Sequence, residues 1–196
     1  MLLQFSHRAV VAASLVLMMG SLSSAQTRDP EERYSGGAPL SKKFSLFGYS
    51  PVSKATVNFE TTEKPGSIVV NTKERRLYYV LGEGRALRYG IGVGRPGFTW
   101  SGVRTVTEKK EWPGWTPPAQ MLKRRPDLPR YMPGGPENPL GARAMYLGST
   151  LYRIHGSNEP ESIGQAVSSG CFRLTNDDVK DLYDRVKVGA RVVIMQ

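Results

Sequence analysis

The sequence predicts a mainly β fold with a few short helices, on three observations. Short β-branched and aromatic runs recur between Gly-containing turns, residues 102–111 alternate in character with period two, and a clear apolar helical stripe follows only Thr175.

Residues 26–64 are polar and turn-rich (Asp29-Pro30, Ser35-Gly36-Gly37, Ala38-Pro39) without sustained periodicity, and read as a linker or loosely ordered arm. At Pro65-Gly66 the texture changes. Ser67-Ile68-Val69-Val70-Asn71 and Leu77-Tyr78-Tyr79-Val80-Leu81, separated by a polar turn, predict a hairpin. Gly82-Glu83-Gly84 turns into a third strand over 86–93, and Val103, Thr105 and Thr107 mark a fourth over 102–111. To this point the pattern is an antiparallel meander. Residues 112–139 are crowded with Pro and Gly, and within them 116–125 predicts a helix with Thr116 as N-cap and Pro117 in its first position. A loop this long in a compact domain usually has a function. Strands are expected again at 143–147 and 151–155, and one helical turn at 163–167. A helix follows, capped by Thr175 or Asn176, with Asp177 and Asp178 near its positive end and Val179, Leu182, Tyr183 and Val186 as its apolar stripe. A strand over 191–195 closes a domain spanning residues 65–196.

The N-terminus predicts export. His7 and Arg8 lead into an apolar run over 9–19 and then Ser21-Leu22-Ser23-Ser24-Ala25, the pattern of a secretory signal over residues 1–25 cut after Ala25. A retained anchor is the alternative, but the run falls short of the roughly twenty residues that span a bilayer. No cysteine stands near the cut to take a lipid. The expected location is the periplasm or cell envelope. Formal net charge is +10, with most of the excess after Lys64. An exported chain meets little nucleic acid, and no recognition motif or aromatic-basic platform is present. A polyanionic envelope or carboxylate-rich substrate suits the charge, as does simple solubility.

Cys171 is the only cysteine, and His155 the only histidine once the signal is removed. One thiol cannot staple its own chain and is open to oxidation, so a secreted protein has little structural use for it. A thiol becomes a strong nucleophile when an imidazole takes its proton, which is the chemistry of acyl transfer. Gly170 would let the backbone turn tightly beside the nucleophile, and main-chain N–H groups around Cys171 could face a developing oxyanion. With no acid beside either motif, a backbone carbonyl is the expected orienting group for His155, Glu159 and Glu161 staying open. Arg173 is either a surface charge or a clamp for a substrate carboxylate. The bland alternative is a buried, inert cysteine and a structural histidine. Trp112, Trp115 and Tyr131 read as core or lid packing.

Two other chemistries fail. Gly92-Val93-Gly94-Arg95-Pro96-Gly97 matches the glycine spacing of a dinucleotide loop, but another strand follows where the motif needs a helix, so no nucleotide cofactor is expected. Zinc wants three or four Cys/His-type ligands and the mature chain offers two, so no metal is expected either.

His155-Gly156-Ser157 followed by Ser168-Ser169-Gly170-Cys171-Phe172-Arg173-Leu174 resembles the signature of the L,D-transpeptidase (YkuD-type, ErfK/YbiS/YcfS/YnhG-like) catalytic domain. The similarity extends through residues 65–70, 112–118 and 138–144, and thus covers about 65–196. Ser157, Phe172 and Leu174 stand where Thr, Ile and Met are commoner, which alters pocket shape and removes no reactive group. The resemblance implies a sandwich-like, mainly β catalytic domain acting on peptidoglycan stem peptides without a cofactor. It implies that Cys171 is the nucleophile and His155 the proton acceptor and donor. Gly156, Ser169, Gly170 and Arg173 would then line the substrate pocket or oxyanion site. The acyl acceptor would be a second stem peptide, an envelope protein, or water in a hydrolase built on the same acyl-enzyme; a non-catalytic wall-binding protein is the remaining alternative. Carbapenems are the β-lactams expected to acylate such a cysteine.

Overall fold

The computed structural model describes residues 53–196, so the expected signal peptide and most of the expected arm lie outside the described residues. Among the described residues, β2 (Ile68–Asn71) and β3 (Arg76–Gly82) form the expected hairpin, and β4 (Arg85–Gly90) returns antiparallel beside β3. Within the expected arm, β1 (Ala55–Asn58) pairs antiparallel with β4 and forms the edge. Its four residues were too short to stand out against their polar neighbours.

The third strand ends earlier than its apolar run. After Gly90 the chain breaks step and resumes as β5 (Val93–Gly94). Next comes β6 (Gly102–Glu111), the hinge of the architecture: residues 102–105 pair antiparallel with β11 (Arg191–Met195), whereas the part from Val106 onward pairs antiparallel with β7 (Arg143–Leu147). The β7 pairing begins at Val106 and shifts register between Val106 and Glu108, and such irregularities bend a strand and raise its twist. One strand thereby joins two layers into the sandwich-like arrangement. The second layer continues through β8 (Arg153–His155), antiparallel to β7, and β10 (Phe172–Arg173), parallel to β8.

The simple meander does not hold. β11 inserts between β2, to which it runs parallel, and β6, a neighbour far away in sequence. Residues 163–167 are also not a helical turn. A short 3-10 turn over Pro160–Ser162 precedes them, and β9 (Ala166–Ser168) pairs parallel with β5. Tertiary pairing overrode the local pattern. Helix α1 (Ala119–Arg124) starts after Pro118 and not at Thr116, and no side chain caps it. Pro118 disfavours helical geometry at Pro117, which pushes the start past both prolines.

The core gathers both layers and one helix. Ile68, Val70, Leu77, Tyr89, Val106, Met145, Leu147, Ile154, Phe172 and Leu174 are buried together with Val179, Leu182 and Val186 of helix α2 (Asn176–Arg185) or its C-cap. Thr175 is the N-cap of α2, its hydroxyl accepting the Asp178 N–H at 3.2 Å. At the other end Lys109 Nζ donates to the Tyr183 and Val186 carbonyls, each at 2.6 Å, and so occupies orphan acceptors of the last turn.

Candidate active site

Strand alternation builds the site. β8 and β10 are in register with Ile154 beside Phe172 and His155 beside Arg173. Side chains alternate across a sheet, so Ile154 and Phe172 face the core, where both are buried, and Arg153, His155 and Arg173 take the opposite face. Cys171, one residue before β10, falls on that same face next to Arg153. The Leu174 N–H to His155 carbonyl bond at 2.8 Å locks the pairing.

The loop before Cys171 is organised by Ser168. Its hydroxyl donates to the Cys171 carbonyl at 2.6 Å and accepts the Gly170 N–H at 3.1 Å. The Gly170 amide is therefore already engaged by Ser168. Gly170 has φ +108°, and a Cβ on it would lie 2.5 Å from the Tyr152 ring and 3.2 Å from the Phe98 carbonyl. Glycine is required there on both counts. Trp100 stacks on Tyr152 at 4.4 Å and donates its indole N–H to the Gly170 carbonyl at 2.8 Å, bracing the loop from outside.

His155 is buried at the end of β8, with Nδ1 2.6 Å from the Gly156 carbonyl. A carbonyl only accepts, so Nδ1 carries the proton and Nε2 keeps its lone pair. This is the backbone orienting group expected from the sequence; Glu159 instead pairs with Arg173 at 3.3 Å. Burial pushes the imidazole pKa down to about 3, with the Arg173 and Arg153 charges adding to the effect against the Gly156 bond. The ring is neutral at pH 7. The half-buried Cys171 thiol donates to the Leu151 carbonyl at 3.8 Å. Burial raises its pKa, although Arg153, through charge and hydrogen bonds, and Arg173 pull it down. At rest the pair is a neutral thiol and a neutral imidazole, with two guanidinium groups beside the thiol.

The remaining expected residues sit close by. Gly156 orients the imidazole, Ser169 lies 3.4 Å from an Arg95 guanidinium nitrogen, and Arg173 bonds Gly92 through both its N–H and its carbonyl, each at 2.9 Å. The glycine spacing around Gly92 serves packing: a Cβ on Gly94 would lie 2.5 Å from the Phe98 carbonyl and 3.3 Å from the Gly170 Cα. The segment then runs into β6 and not into a helix. Sequence reasoning missed Arg153, Ser168, Trp100 and Asn176. Arg153 was available from strand parity, two residues before His155; the others depend on contacts across the fold.

The family model described as the L,D-transpeptidase catalytic domain (YkuD) matches residues 65–194. The probable L,D-transpeptidase ErfK/SrfK of Escherichia coli is 45% identical over 65% of this chain, and the match covers 43% of that relative, so the chain spans less than half the length of that curated protein. A Brucella melitensis structure described as a probable carnitine operon oxidoreductase is 44% identical, with a TM-score of 0.51 over 79% of this chain and 99% of its own. An L,D-transpeptidase from Mycobacterium smegmatis, 19% identical, shares the fold with a TM-score of 0.53 over 66% of this chain and 58% of its own. With its residues from 65 to 194 matching that family model, the chain belongs to the L,D-transpeptidase (YkuD) family.

Proposed function

We propose that this protein is an exported peptidoglycan L,D-transpeptidase that works through an acyl-enzyme on Cys171. The observation that carries the reading is the shared face of β8 and β10, where a histidine with a free Nε2 lone pair stands diagonally from a thiol flanked by Arg153 and Arg173.

The donor is a stem tetrapeptide. His155 Nε2 takes the thiol proton as Sγ attacks the carbonyl of the bond between the L-centre of diaminopimelate and the terminal D-Ala. The Cys171 N–H is the main-chain donor for the oxyanion, since Ser168 holds that of Gly170. Collapse breaks the C–N bond, the His155 proton passes to the leaving amine, and D-Ala departs to leave a thioester. An acceptor amine then attacks, gives its proton to His155, and releases the thiol. A second stem peptide and an amine of an envelope protein fit this step equally. Arg173 and Ser169 border the pocket, and the net positive charge suits an anionic wall. The Brucella chain's oxidoreductase description has no counterpart around Gly92, where no helix N-terminus is available to a pyrophosphate.

Incubation of purified protein with defined tetrapeptide muropeptides tests the reading. D-Ala release and a cross-linked product are expected from wild type, and neither from folded Cys171→Ala or Cys171→Ser, because the small side chain contributes little packing. Turnover by either folded variant overturns the mechanism.

A further inference from the structure

Thr175 caps α2, which leaves Asn176, the first residue of the helix, with a different contact. Its Oδ1 accepts the Ala142 N–H at 2.8 Å, tying the start of α2 to the residue before β7. The same oxygen walls in two glycines. A Cβ on Gly141 or on Gly156 would collide with it. The Gly141 position is further closed by the Ser157 nitrogen at 2.5 Å and the Gly156 carbonyl carbon at 2.7 Å, and the Gly156 position by the Ala142 nitrogen and Val179 Cγ1, each at 3.1 Å. From its other side the Gly156 N–H donates to the Arg143 carbonyl at 3.0 Å. The Gly156–Ser157 peptide is thus wedged between the segment before β7 and the N-terminus of α2. Its oxygen is the one that receives His155 Nδ1.

We infer that Asn176 is a positioning residue: it holds the Gly156 carbonyl at the place that selects the Nδ1–H tautomer of His155 and aims Nε2 at the thiol. The inference rests on the proposed role of His155 as the base. A buried imidazole with no carboxylate partner owes its tautomer and its angle to that single carbonyl, and a carbonyl between two glycines owes its place to whatever fills the space their side chains leave. Asn suits the task because a short planar amide accepts one backbone N–H while lying flat against glycine backbone. Asp177 and Asp178 follow it on the helix, so the position needs an acceptor without adding a third charge there.

The test pairs kinetics with a readout from the resting enzyme. Asn176→Ala should lower kcat for D-Ala release roughly tenfold to a hundredfold with KM little changed, as a small misplacement of a catalytic group does. Asn176→Asp, which keeps the accepting oxygen, should recover most of that loss. Thr175→Ala weakens the same helix start without touching Gly156, and should keep the wild-type kcat. Nitrogen-15 spectra of His155 at neutral pH should show one tautomer protonated at Nδ1 in wild type and Thr175→Ala, and a mixture in Asn176→Ala. Should Asn176→Ala fail to fold, Asn176→Ser, whose hydroxyl falls short of the Ala142 N–H, carries the same comparison. Wild-type kcat and an unmixed tautomer in the folded Asn176 variant overturn the inference, as does an equal kcat loss in Thr175→Ala. A wild-type protein that releases no D-Ala overturns the transpeptidase reading instead, while the tautomer spectra still judge Asn176.

Discussion

At the scale of single residues, the resting pair is neutral, and two measurements follow from that. Burial penalises the thiolate more than Arg153 and Arg173 favour it, so the Cys171 pKa lies above its ordinary value. Alkylation by a small electrophile such as iodoacetamide should be slow at pH 7 and climb through the alkaline range, with a midpoint above that of a free thiol. A preformed thiolate–imidazolium pair would give a rate already flat below pH 7, which is the outcome that contradicts the neutral pair. The second concerns stability. The imidazole pKa falls from 6.5 to about 3 on folding, so between these values the unfolded chain binds a proton that the fold excludes. Stability contributed by the neutral ring is complete above pH 6.5 and is lost as pH falls toward 3, with a limiting slope of about 1.4 kcal/mol per pH unit. In urea titrations His155→Gln should therefore lose less stability between pH 7 and 4 than wild type does; parallel curves would mean that the ring is not held neutral.

At the scale of elements, the helix that carries Asn176 is anchored at three points. Thr175 caps its start and Lys109 its end, and in between Asp181 accepts the Tyr89 hydroxyl at 2.6 Å, a two-point contact from Arg185 and the Lys54 ammonium at 3.0 Å. Arg185 first, then Tyr89 and Lys54, hold the Asp181 carboxyl well below the usual carboxylate range, outweighing its partial burial. Tyr89 is fully buried in β4, and its hydroxyl needs that partner. Asp181→Ala should cost on the order of 1–3 kcal/mol in denaturant unfolding, chiefly by leaving the hydroxyl unsatisfied. Most of this cost should vanish when Asp181→Ala is made in a Tyr89→Phe background. Additive losses in that double-mutant cycle would locate the stabilisation in Arg185 and Lys54 instead.

At the scale of the whole molecule, two layers joined through β6 bring the loop before Cys171, the histidine strand and the glycine-rich segment around Gly92 to one place, with a single thiol among them. A β-lactam offers a strained amide to that thiol. Intact-mass analysis after carbapenem exposure should show one adduct on wild type, none on Cys171→Ser and much slower formation on His155→Ala, because the un-ionised thiol is a poor nucleophile without proton removal. An equal mass gain by Cys171→Ser would place the reaction elsewhere and turn the site into a wall-binding surface. Among the described residues no helix is long and apolar enough to cross a membrane.

The sequence by itself determined what local chemistry can write: the hairpin at Ile68 and Tyr79, the long strand over 102–111, the apolar stripe of α2, and the uniqueness of Cys171. These are legible because period, turn residues and composition act over a few neighbours. The resemblance of the motifs around His155 and Cys171 supplied the family, which residue spacing alone left open between a catalytic pair and an inert one. Tertiary structure decided the rest. It placed β11 between β2 and β6, made residues 166–168 a strand because β5 lies beside them, and moved the start of α1 beyond two prolines. It also set the chemical state of the site: the neutral imidazole, the engaged Gly170 amide and the clamp by Asn176 all depend on burial and on partners distant along the chain. Electrostatic state follows from what surrounds a group in space, and a linear pattern of residue types does not contain that distance.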